Sequence, residues 1–320
     1  MSVKKVYAFV RGGLGNQLFI YAAARCVAIK NDASLILLDD SYVGEFHGRS
    51  FLLRKFRVDA VVSGLADGSV PYSAKSHKFL KFADRFMHFI GLSPSHYFLE
   101  RRKRLFKLSA DRLDPRFFNI AFKDYIFLDG YFQEERYFLD IKQVIRNELC
   151  LAERPSPETE AVADDIQKCN AVCLHFRRTE LEAKDVEERR GVSGLGYQQG
   201  LDMSFYEKAI SSLSKAVKNP RFFGFSDFPE WMMKNVKLSV PVTFVTHNSS
   251  ADMCHEDLYL MSLCKHHVIS HSTFSWWGAW LSGHAEQRVY APIDRCRRQK
   301  SPFYPASWQT IDVCQERVSG

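Results

Sequence analysis

Short apolar runs alternate along this chain with stretches of helical spacing. A strand is predicted at Val6 to Val10, then a glycine turn, a helix over about Gln17 to Lys30 and a strand at Leu35 to Leu38, which together make a βαβ unit. The second half carries the same alternation further. Apolar runs predict strands at Ala171 to Phe176, Phe222 to Phe225, Val242 to Val245, His267 to Ser270 and Arg288 to Ala291. Helical periodicity predicts helices over Phe205 to Val217, around Trp231, over Leu258 to Cys264 and from Phe274 onward. Strands alternating with helices imply parallel sheets with right-handed crossovers, an α/β fold.

A chain of 320 residues has room for about two such domains. The best boundary is Ala152-Glu153-Arg154-Pro155-Ser156-Pro157, where prolines and polar residues follow an apolar face. The expected division is therefore 1–152 and 153–320, the last residues being free to return to the first domain. Two Rossmann-like domains facing one another would set a ligand cleft at the carboxyl ends of their strands. Residues 75–107 break the pattern, being basic, aromatic and poor in strand signals.

Composition narrows the class. MSVKKVYAFV meets Arg11 and two glycines too soon for a signal peptide. No uncharged apolar run approaches the roughly 18 residues of a membrane-spanning helix. With eight scattered cysteines, a reduced, cytoplasmic setting is expected. The formal charge of +7 suits an anionic partner. The segment from Lys75 to Lys107 carries nine lysines and arginines against Asp84 and Glu100, so it accounts for the whole excess. Its Phe79, Phe82, Phe86, Phe89 and Ile90 stand at near-helical spacing; this is a basic amphipathic pattern that suits either an anionic membrane surface or core packing. A nucleic-acid-binding protein is the rival reading from another class. It would need basic and aromatic residues interleaved on a sheet or groove, whereas here the unusual chemistry sits at strand ends.

Three stretches carry that chemistry. Arg11-Gly12-Gly13-Leu14-Gly15-Asn16-Gln17-Leu18 lies between a strand and a helix. Its glycines let a ligand approach backbone amides, or else form a plain turn with Asn16 capping the helix. It lacks the third glycine and the acid of a dinucleotide site. His175-Phe176-Arg177-Arg178-Thr179-Glu180 ends a strand; alternation puts His175 and Arg177 on one face and Arg178 on the other. Such an arginine can grip a diphosphate, or pair at the surface with Glu180 or Glu182. In the stretch from Ser270 to Leu281, Ser272 and Thr273 open a helix where hydroxyls and free amides can cradle a phosphate or cap the helix. Trp276, Trp277 and Trp280 are read as packing.

Two acids complete the set. Asp227 ends a strand, where capping the next helix is the simpler role. Asp257 opens onto Leu258-Tyr259-Leu260 on a helix, where an exposed acid is unremarkable but a carboxylate can also accept the N–H edge of guanine. Cys264, His266, His267 and His271 suggest a metal, yet neighbouring strand residues point to opposite faces. The chain has no Asp-x-Asp pair to hold a divalent cation against a diphosphate.

Taken together, Gly13-Leu14-Gly15-Asn16-Gln17-Leu18-Phe19, His175-Phe176-Arg177-Arg178, Phe225-Ser226-Asp227 and Ser270 to Leu281 resemble the family 11 glycosyltransferases, the α-1,2-fucosyltransferases of bacterial type. Gly130-Tyr131-Phe132-Gln133 and Tyr304-Pro305-Ala306-Ser307-Trp308 are similar as well. The resemblance implies a GT-B-type fold with an acceptor-side N-terminal domain and a donor-binding C-terminal one. It also implies GDP-fucose as donor, inversion at the fucose carbon, no required metal or other cofactor, and a galactose-ended glycan as acceptor. By similarity, Arg177 grips the β-phosphate with His175 beside it, and Arg178 and Asp227 belong to the donor site. Ser272 and Thr273 hold the diphosphate, Asp257 reads guanine, and Gly13, Gly15 and Asn16 approach the diphosphate and the reaction centre. The implied setting is lipopolysaccharide O-antigen synthesis in the cytoplasm, peripheral to the inner face of the membrane, with no nucleic acid. Glu180, Phe228 and His271 depart from the family's usual Asp, Asp and Asn. Glu180, Asp39 and Asp40 are the strand-end acids available as a base.

Overall fold

The computed structural model describes residues 3–39, 50–64, 70, 96–100, 103–105, 109–111, 113–177, 201–293 and 303–313. Arg178, Glu180, Glu182, Asp40 and most of the basic segment 75–107 lie outside the described residues. The chain forms two compact units, Met1–Arg154 with Lys300–Pro305, and Pro155–Gln299 with Ala306–Gly320.

The first unit begins β1 (Lys4–Val10), α1 (Leu14–Lys30), β2 (Ala33–Asp39) and β3 (Val61–Gly64). It continues with β4 (Tyr97–Leu99), the small antiparallel pair β5 (Lys103–Leu105) and β6 (Ser109–Asp111), β7 (Tyr125–Asp129) and α2 (Lys142–Glu148). A five-stranded sheet has the order β3-β2-β1-β7-β4, and every pairing in it is parallel. The predicted helix starts three residues early, at Leu14, because the glycine turn is tighter than its sequence suggested. Leu18, Phe19, Ile20 and Tyr21 are all buried in succession, so α1 is covered on every side. β4 lies within the stretch that is poor in strand signals: three residues at a sheet edge leave too short a pattern to read.

The second unit runs α3 (Pro157–Gln167), β8 (Asn170–Phe176), α4 (Met203–Ala216), β9 (Pro220–Ser226), α5 (Pro229–Asn235) and β10 (Val242–Phe244). Then come α6 (Cys254–Leu263), β11 (His266–Val268), α7 (Thr273–Ser282), β12 (Val289–Ile293) and β13 (Gln309–Asp312). All five strands and all four helices predicted for this half are present, with ends moved by a few residues. The six-stranded sheet is parallel throughout, in the order β10-β9-β8-β11-β12-β13. Alternation along β8 sorts its side chains. Val172, Leu174 and Phe176 pack with Phe205, Tyr206, Ile210 and Leu213 of α4. Ala171 and Cys173 pack on the opposite face with Ile166 of α3 and Leu260 and Met261 of α6.

Both sheets reverse their strand order at an inner pair. In the first, β2 and β3 lie on one side of β1, and β7 and β4 on the other; in the second, β9 and β10 flank β8 on one side while β11 begins the other. At such a switch point the two crossovers leave in opposite directions and a crevice opens outside the carboxyl ends of the strands. The Arg11 to Asn16 loop follows β1, and the His175-Phe176-Arg177 stretch ends β8.

Candidate active site

In the second unit, side chains close over the switch point. His175, 2% exposed, sits at the end of β8, and its Nδ1 lies 2.8 Å from Ser270 Oγ, just beyond β11. Tyr206 donates its hydroxyl to the His175 carbonyl at 2.9 Å, and the Phe274 ring lies 5.8 Å from the imidazole. Burial, with a smaller effect from Arg177, lowers the His175 pKa to about 3, so the ring is neutral at any working pH.

Arg177 follows β8 and its Nη1 pairs with Asp227 Oδ2 at 3.0 Å, both side chains partly exposed. This corrects the capping role expected of Asp227. The residue before α5 is Phe228, and the amide there bonds Ser226 Oγ at 3.0 Å instead. Asp227 is drawn to the arginine because β8 and β9 are adjacent and end level, Phe176 opposite Ser226.

At the start of α7, Ser272 Oγ accepts from the Phe274 amide at 3.2 Å, so this serine does cap its helix. Thr273 is the first helical residue and is half-buried. The tryptophans behind it are core. Trp276 and Trp277 are fully buried, Trp276 stacks on Trp280 at 6.0 Å, and Trp308 covers Trp276 at 5.6 Å. That last contact packs the stretch before β13 against α7.

Asp257 is not the exposed acid that its helix suggested. Because α6 starts at Cys254, Asp257 falls in the first turn and is 8% exposed. Asn248 Nδ2 donates to its Oδ1 at 2.9 Å, while Asn248 Oδ1 is buried without a partner. Burial lifts the Asp257 pKa to about 7 against that hydrogen bond, Glu256 adding to the rise. The neighbouring Glu256 accepts from the Ser156 hydroxyl at 2.6 Å and the Ser156 amide at 3.2 Å.

The first unit contributes the loop after β1. Gly13 precedes α1 with no side-chain cap, and Gly12 adopts φ +79, a backbone state that favours glycine. Asn16 does not cap the helix, since it lies inside the first turn; Gln133 Nε2 donates to its Oδ1 at 2.8 Å. Gly15 is buried in the same turn. Gln17, to which the sequence attached no role, is the staple of the loop. Its Nε2 donates to the Gly12 and Ser50 carbonyls at 2.9 and 2.8 Å, and its Oε1 accepts from the Leu52 amide at 2.9 Å. Arg11 pairs with the fully buried Asp129 at 2.6 Å and covers the Tyr131 ring at 5.0 Å. Asp39 stands at the end of β2.

His266 and His267 serve different partners: Nδ1 of the first accepts from the Arg288 amide at 3.2 Å, and Nε2 of the buried second lies 2.8 Å from the Met261 carbonyl. Among the described residues no group of three His, Cys, Asp or Glu is placed to hold a metal ion, and no helix is long and apolar enough to cross a membrane.

Several known proteins are similar to this chain. The model of glycosyl transferase family 11 matches residues 97–311. An alpha-1,2-colitosyltransferase of Escherichia coli is 28% identical over 315 residues, covering 96% of this chain and 99% of its own length. The O-antigen biosynthesis glycosyltransferase WbnK, also of Escherichia coli, is 25% identical over 294 residues, covering 90% and 93%. Among solved structures, an Arabidopsis thaliana FUT1 variant in complex with GDP aligns at 14% identity with a TM-score of 0.49, over 92% of this chain and 72% of that one. With two parallel sheets, each carrying its distinctive loop at a switch point, and a family model matched over most of its length, the chain belongs to glycosyl transferase family 11.

Proposed function

We propose that the protein transfers fucose from GDP-fucose to a hydroxyl of a galactose-ended glycan, with inversion, forming an α-1,2 linkage. The observation that carries this reading is Arg177 at the carboxyl end of β8, held by Asp227 beside the switch point. A guanidinium there offers paired charged hydrogen bonds to a nucleotide diphosphate. Thr273 and the first amides of α7 add donors on the neighbouring strand end. As the sugar carbon moves to the acceptor oxygen, negative charge grows on the departing GDP; Arg177, Arg178 and the α7 start stabilise it in place of a metal ion. Asn16, in the first unit, is read as a further hydrogen-bond donor in the reaction. His175, neutral and locked on Ser270, sets the shape of the crevice floor and carries no proton in the reaction. Asp257 accepts the N1–H and N2–H of guanine. Gly13 and Gly15 keep the Asn16 loop free of bulk.

The O-antigen and α-1,2 relatives support a surface-glycan acceptor and this linkage. They also favour a second donor, the colitose nucleotide, whose sugar is fucose without its 3-hydroxyl. Synthesis at the cytoplasmic face of the membrane is part of the same reading, the basic segment 75–107 meeting anionic lipid there. Arg177→Ala should bind GDP at least tenfold more weakly by calorimetry and lose transfer while keeping its far-ultraviolet circular dichroism. Near-normal turnover in that variant would remove the donor site from this location.

A further inference from the structure

The hydrogen bond from Gln133 Nε2 to Asn16 Oδ1, 2.8 Å long, joins loops that follow two adjacent parallel strands, β1 and β7. Arg11 on Asp129 and Arg11 over Tyr131 also link the carboxyl ends of these strands. A primary amide presents its carbonyl on one edge and its NH₂ on the other. With the carbonyl turned to Gln133, the Asn16 amide is fixed in orientation and its NH₂ faces away from Gln133. That group packs closely over Gly12, where a Cβ would stand 2.8 Å from Asn16 Nδ2.

Gln133 is itself delivered by a loop with little freedom. Glu100 Oε2 accepts from the Tyr131 and Phe132 amides at 2.9 and 3.0 Å, and its Oε1 accepts from the Tyr137 hydroxyl at 3.2 Å. A Cβ on Gly130 would come within 2.5 Å of the Glu100 Cβ. Phe132 is held at φ +47, strained for a side-chain residue, with its ring fully buried among Phe98, Phe117 and Tyr137. A half-buried carboxylate clamp, a glycine where a Cβ would be crowded and a strained aromatic residue all act on the residues just before Gln133.

We propose that Gln133 is a positioning residue that fixes the side-chain amide of Asn16 with its NH₂ presented as the donor in the transfer reaction. The inference rests on the reading of Asn16 given above. Because a donor in the reaction acts in the transition state, the effect belongs to kcat more than to the donor KM. Gln133→Met removes the tie and leaves Asn16 free to rotate. Gln133→Glu presents only acceptors, so it draws the Asn16 NH₂ inward and turns the carbonyl outward. One well-placed donor is worth about a hundredfold in kcat. Gln133→Met should lose severalfold and Gln133→Glu at least tenfold more, each with donor KM changed less than threefold and thermal midpoint within about 3 °C of the parent.

The same substitutions in an Asn16→Ala background should have no further effect on kcat, since a residue that acts through Asn16 has nothing left to position. A purely structural role for Gln133 would instead give equal losses in both backgrounds, and that result overturns the proposal. So does Gln133→Glu turning over as fast as Gln133→Met, a comparison that stands even if Asn16→Ala falls below detection. Full activity of Asn16→Ala would overturn the Asn16 reading and this inference together, whereas an impaired Asn16→Ala with active Gln133 variants overturns the inference alone.

Discussion

His175 and Ser270 close the switch point of the second sheet, with the imidazole Nδ1 2.8 Å from the serine Oγ. The ring is pinned between β8 and the residue after β11 and is kept neutral by burial, its pKa lowered to about 3. An unfolded histidine titrates near 6.5, so the unfolded chain takes up a proton between about pH 6.5 and 3 that the folded chain refuses. Stability contributed by this site is full above pH 6.5 and drains as pH falls through that window. His175→Gln should therefore show a flatter loss of thermal midpoint between pH 6.5 and 4 than the parent. Parallel curves for the two proteins would mean that the ring is solvated and titrates normally.

Asp257 has the opposite sign. Its pKa is raised to about 7, so the folded chain holds a proton that the unfolded chain releases near pH 4. Stability is unaffected below pH 4, falls as pH rises towards 7, and bears the full cost of a buried carboxylate above that. Asp257→Asn should match the parent at pH 4 and melt higher at pH 8. Binding pulls the other way, since the base edge needs the ionised form. Guanosine, which has no phosphate to titrate, should bind the parent more tightly as pH rises from 5.5 to 7, then level off. Asp257→Asn should bind weakly and without pH dependence. Calorimetric titrations across that range check both statements, and an unchanged affinity in Asp257→Asn would remove this residue from base recognition.

Gly12 tests the loop after β1. Alanine at φ +79 costs about 1–2 kcal/mol in backbone strain, and its Cβ would press on Asn16 Nδ2 at 2.8 Å. Gly12→Ala should lower the thermal midpoint by several degrees and cut turnover by more than tenfold, with GDP affinity nearly unchanged. At Gly13 no atom lies within 4 Å of a Cβ, so Gly13→Ala should leave the thermal midpoint near the parent's and report only on a ligand's approach to the loop.

The second unit is the more legible in sequence because its central strands are continuous apolar runs set between helical stretches in regular alternation. The alternation of β8 between two cores is what made Ala171 to Phe176 read as one apolar run. Chemistry at the strand ends was visible as residue type, but pairing was not. Asp227 reads as a helix cap because nothing local says that β8 and β9 end level, and Asp257 reads as exposed because the apolar periodicity begins at Leu258, four residues after the helix itself. Glu100 was counted only as a charge against the basic segment, yet it organises the loop that holds Gln133. Such a contact joins residues more than thirty positions apart and leaves no periodic trace. The strands β3, β4 and β7 are short or follow irregular turns, and only the completed sheet identifies them.

The most direct measurement of the central claim offers the purified protein a panel of nucleotide sugars with galactose-ended acceptors, in the presence of EDTA, and follows nucleotide release and the product linkage by NMR. Turnover is expected with GDP-fucose, or with its 3-deoxy analogue, giving an α-1,2-linked product without added metal. Product formed only from a UDP sugar, or only when a divalent cation is supplied, would contradict it.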